Sequence, residues 1–336
     1  MYNRHIDLGY LHEDKSFARH IPRLARILFI IGLVFAGGYF TARRVGDSHS
    51  DFVLPAHEIA RLSAAHAARN HQHGDGLALV LSETQTDAAG NTSRFNTEIP
   101  RVADLVALID EYPNAEIIAA NIWRFPMQLV DLAIRNHETI DFVADFLIYG
   151  RNINVDHTTI DISGDVIPGE IPHFMQWDKR WGYSYYGGAN TAEVMALVGC
   201  GPVTLSMIIV GLTGNLEYNP RQVADFAQRN GFITPSNDTT WTLMSVGALE
   251  YGLAVREIMR DAGAIRAALN QGEPIITSMG PGDFTTGGHF IAITSVNPDG
   301  TVNVLDANSF VNSEQSWDLQ RIMPQMRNIW AFRLAD

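Results

Sequence analysis

The sequence predicts an α+β chain in which helices come first and strands gather late. Two observations carry this. Apolar residues recur at helical spacing through much of the first two thirds. Five short runs that read as strands then cluster after residue 254, and that order suits an α+β fold better than an alternating, doubly wound sheet. Hydrophobic residues make up 46% of the 336 and charged residues 18%, which is ample for a buried core and too apolar for a disordered chain. The length suggests two domains, or one with a large appendage.

Residues 1–26 form a basic leader, with Arg4, Lys15, Arg19, Arg23 and Arg26. Residues 27–42 (ILFIIGLVFAGGYFTA) carry no charge. At ~1.5 Å per residue they span ~24 Å, short of the ~30 Å hydrocarbon core. Arg26 and Arg43 can snorkel to make up the difference. Arg43 and Arg44 are followed by Asp47 and Asp51, so the positive charge is heavier before the stretch. A transmembrane helix or signal anchor is expected, with the leader in the cytoplasm and the remainder outside. Membrane lipid is then a partner. A cleaved signal peptide has the same layout, and Ala36-Gly37-Gly38 could serve as its cleavage site.

Residues 43–53 read as a polar linker, and 54–150 as a mostly helical domain without a legible role. Helices are expected over 56–70, over 101–112 after Pro100, and over 126–148. The Gly-, Asp- and Asn-rich stretch 74–97 between them has room for one strand, 77–81. His57, His66, His71 and His73 lie close together, but their spacing does not bring them to one helical face. No Cys or HExxH accompanies them, so no metal site is expected.

Residues 151–336 form the second domain. Helices are expected at 202–212, 220–230, 239–251 and 262–271, and strands at 255–258, 274–279, 289–296, 301–305 and 328–334. Asn297-Pro298-Asp299-Gly300 reads as a four-residue hairpin loop between the third and fourth strands.

Composition excludes several activities. The 24 basic against 37 acidic residues give a net charge of −13, which opposes nucleic-acid binding through phosphate neutralisation. The two lysines, Lys15 and Lys179, do not follow a glycine. A GxxxxGK[ST] phosphate loop is therefore absent, and no nucleotide is expected. The single cysteine, Cys200, rules out an intrachain disulfide or a CxxC redox pair.

That cysteine sits in Gly199-Cys200-Gly201-Pro202, ahead of a nearly all-apolar helix. Pro202 suits a first helical turn, where its missing N–H costs nothing. A thiol at a buried helix start meets the positive end of the macrodipole, which favours the thiolate. Gly199 and Gly201 leave room for a substrate backbone. A thiolate nucleophile needs an acid/base partner and something to orient it. Among 12 histidines the best candidate is His289, which opens an apolar strand after Gly287-Gly288. With the four-residue loop, Val296 pairs with Thr301 and His289 falls opposite Asn308. Asp306 shares that face, on a diagonal of ~7–8 Å. Either Asp306 or Asn308 could orient the imidazole, and an odd loop length would flip the parity. Gln176, 24 residues before Cys200, is a candidate oxyanion donor. The order Gln, Cys, His, Asp is the papain-like chain order.

Over residues of about 169–332 the chain resembles the stand-alone branch of cysteine peptidase family thirty-nine. That family is papain-like and related to the double-glycine leader peptidases. The motifs are residues 176–181 with Tyr186-Gly187-Gly188, then 199–202, 287–290 and 305–309, and finally 317–330 (WDLQRIMPQMRNIW). Many relatives have Asp-Pro-Asn where this chain has Asp306-Ala307-Asn308. The resemblance implies a papain-like domain with a helical half and an antiparallel-sheet half. It implies Cys200 as nucleophile, His289 as base and then acid, Asp306 as orienter and Gln176 in the oxyanion hole. Gly199, Gly201, Gly288 and Asn308 are the expected substrate-binding positions. No cofactor is called for. The expected function is an exported, membrane-tethered thiol hydrolase acting on a peptide or protein substrate. A cell-wall peptide amidase or transferase would use the same residues. A non-catalytic peptide-binding module would need none of the four.

Overall fold

The structure, a computed structural model, describes residues 85–86, 92–93, 95–150, 160–187 and 193–336. The stretch 27–42 expected to cross the membrane, the linker, the helix 56–70, the strand 77–81 and the four upstream histidines lie outside the described residues. Among the described residues no helix is long and apolar enough to cross a membrane. All of them belong to one compact unit.

A short hairpin, β1 (Gln85–Thr86) with β2 (Thr92–Ser93), precedes the helices. Helix α1 (Pro100–Ala107) starts on its proline and buries Val102 and Leu105. Helix α2 (Ala115–Ala120), unforeseen in the sequence, buries Ile117 and Ile118. The single helix expected over 126–148 is two: α3 (Met127–Arg135) and α4 (Ile140–Tyr149), split by Asn136 in extended conformation. The Asn136 side chain accepts from the Glu138 backbone N–H and caps a 3-10 turn, His137–Thr139. An Asn side chain competes with the helix for backbone partners, and here it wins.

These helices pack on the residues that follow Gln176. Phe142 stacks on Tyr183 with ring centroids 4.2 Å apart, and Tyr183 Oη donates to the Phe142 carbonyl at 2.6 Å. Buried Asp145 pairs with Lys179.

A two-stranded ribbon, β3 (Tyr185–Tyr186) with β4 (Glu193–Val194), leads into α5 (Met195–Val198) and then α6 (Cys200–Thr213). Helix α6 is buried from Gly201 to Val210 and ends on Gly214 at φ 69°, the left-handed cap that glycine adopts without strain. Helix α7 (Pro220–Arg229) is capped by Asn219, whose side chain accepts from Arg221 and Gln222 N–H. Residues 239–251 form a short α8 (Thr242–Ser245) and a 3-10 turn (Gly247–Tyr251) rather than one helix. Helix α9 (Ala262–Asn270) is capped by Asp261.

The late strands form one antiparallel sheet in the order β5 (Leu253–Glu257), β10 (Met326–Leu334), β6 (Ile275–Met279), β7 (His289–Val296), β8 (Val302–Asp306) and β9 (Ser316–Trp317). Between β8 and β9 lies α10 (Phe310–Glu314), capped by Ser309, and α11 (Leu319–Ile322) follows β9. The fold is thus α+β, helices first and an antiparallel sheet after. Its β7 is buried on both faces. Phe290 and Ala292 join the core shared with α6, while Ile291 and Ile293 join the core shared with α9. A strand covered on both sides reads as a continuous apolar run, which is why His289–Val296 stands out in the sequence.

Candidate active site

Cys200 is the first residue of α6, with Gly199 as N-cap. One turn on, the buried Thr204 donates from Oγ1 to the Phe290 carbonyl at 3.1 Å. That bond fixes the helix against β7 one residue from His289. The thiol lies near enough to the His289 imidazole to favour its protonated form.

The glycines around the thiol have packing reasons. A Cβ on Gly201 would stand 2.6 Å from Thr239 Oγ1, and one on Gly199 would stand 2.6 Å from the Met195 carbonyl oxygen. Neither residue faces open space, whereas Gly287 does, ahead of His289, and a Cβ on Gly288 would meet only the end of the Arg327 side chain at 4.0 Å. Arg327 Nη2 donates to the Gly287 carbonyl at 3.3 Å at that entrance.

His289 Nε2 donates to Asp306 Oδ1 at 2.6 Å, with both side chains buried. This leaves Nδ1 for the thiol. Of the two residues the sequence leaves open as its orienter, the geometry brings Asp306. Asn308 instead donates its backbone N–H to the same Oδ1 at 2.8 Å. The second oxygen, Oδ2, accepts from Asn312 Nδ2 at 2.8 Å. The carboxylate therefore has three donors, as a buried charge requires.

Burial works against the cationic form of His289. The Asp306 charge and hydrogen bond, with a further contribution from Cys200, outweigh it and raise the imidazole to about 10. Burial likewise works against the Asp306 carboxylate. The His289 charge and hydrogen bond, then Asn312 and Asn308, hold it below the usual carboxylate range all the same.

Gln176 is buried, and its Nε2 donates to the Ala196 carbonyl at 2.6 Å, tying it to α5 just ahead of Cys200. Its backbone N–H donates to the Ala307 carbonyl at 2.7 Å. The loop bearing Gln176 is thus bound to both the cysteine side and the aspartate side. Gln176 Oε1 is buried without a hydrogen-bond partner, an arrangement that costs about 1–3 kcal/mol.

Several site residues were not read from the sequence. His173 Nε2 donates to the Asp306 carbonyl at 2.8 Å. Burial holds His173 below its ordinary value, against the opposing pull of that bond. Ser313 Oγ accepts from the Asp306 N–H at 2.9 Å. Asn312 and Ser313 sit on α10, and its one signal in the sequence is Ser309 three residues before Asn312, a side-chain cap. Nothing local marks His173. Among the described residues no cluster of His, Cys, Asp and Glu could hold a metal ion.

An imidazolium paired with a buried carboxylate and near a thiol is equipped for acyl transfer through sulfur. Residues 169–332 match the model of the Peptidase_C39 like family. No curated protein matches the chain.

Proposed function

Because the chain belongs, over residues 169–332, to the Peptidase_C39 like family, we propose that it hydrolyses peptide or amide bonds through Cys200. The observation that carries this reading is His289 bound through Nε2 to Asp306 Oδ1 at 2.6 Å, with the Cys200 thiol near enough to favour the imidazolium as well. His289 takes the proton of the Cys200 thiol. Sγ attacks the carbonyl carbon, and the oxygen takes the charge. Gln176 Nε2 and the Cys200 backbone N–H hold that oxygen. Collapse breaks the C–N bond, and the leaving amine takes the proton from His289. Water then attacks the thioester, giving a proton to His289, and collapse releases the acid and the thiolate. Asp306 stabilises the imidazolium throughout and is not itself protonated. No step calls for a cofactor.

The test is a comparison of peptide ends. A complex peptide mixture incubated with the wild-type protein should acquire new termini that Cys200→Ala does not produce. Identical termini with both proteins would overturn the reading.

The same proposal places the hydrolase outside the membrane, tethered by residues 27–42. Its support is the uncharged stretch and the heavier basic flank before it. Protease added to spheroplasts should digest residues after Arg44 and spare the leader. Protection of residues 151–336 would reverse the orientation, and loss of residues 1–38 from the mature chain would favour a cleaved signal peptide.

A further inference from the structure

The helical segment ahead of the family domain reaches the catalytic loop at three consecutive residues. Asn136 Nδ2 donates to the Asn308 carbonyl at 2.7 Å. Ser309 Oγ donates to Glu138 Oε1 at 2.6 Å, and the Phe310 N–H donates to Glu138 Oε2 at 2.7 Å. Residues 308–310 join Asp306 to α10, and α10 returns Asn312 Nδ2 to Asp306 Oδ2 and Ser313 Oγ to the Asp306 N–H. A five-residue helix is far too short to hold itself together. Its start is fixed from outside, by the Glu138 carboxylate on the Phe310 N–H and on the cap Ser309.

The clamp is itself held firmly. Asn136 Oδ1 accepts from the Glu138 N–H, and buried Thr139 donates from Oγ1 to the Asn136 carbonyl at 2.7 Å. Phe142, a little further on, is stacked against Tyr183. Glu138 and Asn136 lie outside residues 169–332, so the family domain taken alone lacks this support.

We infer that Glu138 is a positioning residue, through which the upstream helices set the Asp306 carboxylate against His289. The inference rests on the Cys200–His289 reading above. Glu138 touches no reacting atom. Its effect runs through Ser309 and Phe310 to α10, from α10 to Asp306, and from Asp306 to the imidazolium that activates the thiol.

The test measures the rate at which iodoacetamide alkylates Cys200 at pH 6, in the full chain, with folding followed by circular dichroism. Glu138→Ala should slow alkylation by about tenfold or more, through the loss of two hydrogen bonds to a charged group. Glu138→Gln keeps an acceptor for the Phe310 N–H and a partner for Ser309 Oγ, and should return to within about threefold of wild type. Arg101→Ala removes the Arg101–Asp131 pair elsewhere in the same helices and should react as wild type does. A wild-type rate in folded Glu138→Ala would overturn the inference, and so would equal slowing by Arg101→Ala. Should Glu138→Ala not fold, Ser309→Ala removes the hydroxyl half of the clamp, and a wild-type rate there overturns the inference as well. If wild type itself reacts no faster than free cysteine, the Cys200–His289 reading falls and takes the inference with it. An activated wild type with an indifferent Glu138→Ala removes the inference alone.

Discussion

Asp306 and Asn308 compete in the sequence for one task and divide it in the structure. The Asp306 carboxylate takes the imidazole N–H, and Asn308 steadies that carboxylate through its backbone. A backbone donor survives truncation of its own side chain. Asp306→Ala should therefore lower kcat/KM by several orders of magnitude, as loss of an orienting carboxylate does. Asn308→Ala should lower it far less. Steady-state kinetics on the two folded variants decides, and a larger loss in Asn308→Ala would move the orienting role. Gln176 gives a second contrast. Its unpartnered Oε1 is a burden on the fold, so Gln176→Ala should lower kcat by ~10²–10³, the usual worth of an oxyanion donor. Its melting temperature should change little. A variant with wild-type kcat would remove Gln176 from the oxyanion hole.

At the scale of elements, the register of β7 on β8 shows how much the sequence carried and by what route. A four-residue loop would pair Val296 with Thr301, whereas the observed pairing is Val296 with Val302 across a five-residue loop. An odd loop alone would turn Asp306 away from the His289 face. An irregularity between Ile293 and Ser295 absorbs the extra residue, so Ile291 still pairs with Asp306. The pairing at the His289 end was read from a four-residue loop that the strands do not have, and it holds because the bulge, which the sequence did not reveal, cancels the extra loop residue. The all-apolar α6 and the two-face-buried β7 were legible, since burial on every side leaves no polar face to misread. Asn136 escaped because apolar residues continue on both sides of it, so the period runs on while one side chain ends the helix. The support for Asp306 escaped because Glu138 lies about 170 residues away in the chain. Gly201, read as room for substrate, meets Thr239, whose hydroxyl bonds Tyr186 Oη at 2.8 Å. Gly201→Ala should push Thr239 off that partner and destabilise the fold by roughly 1–3 kcal/mol. Urea denaturation measures this, and an unchanged midpoint would return Gly201 to the substrate.

For the whole molecule, the buried His289–Asp306 pair ties stability to pH. His289 is raised from its unfolded value of ~6.5 to about 10. Its contribution is fully present below the unfolded value and is lost as pH rises through about 10. Asp306 is held low, so its contribution is present above the usual carboxylate value of ~3.9 and is lost as pH falls through the lowered one. Thermal unfolding should therefore show stability falling from about pH 6.5 towards pH 10. Asp306→Asn should flatten that alkaline slope, and an unchanged slope would assign it to other groups. The same pair underlies the central claim, that His289 activates Cys200 as the nucleophile. The most direct measurement is the pH profile of Cys200 alkylation by iodoacetamide in wild type and in His289→Ala. Wild type should react well below pH 7 and faster than free cysteine, while His289→Ala should follow an ordinary thiol near ~8.5. Coincident profiles for the two proteins would contradict the account.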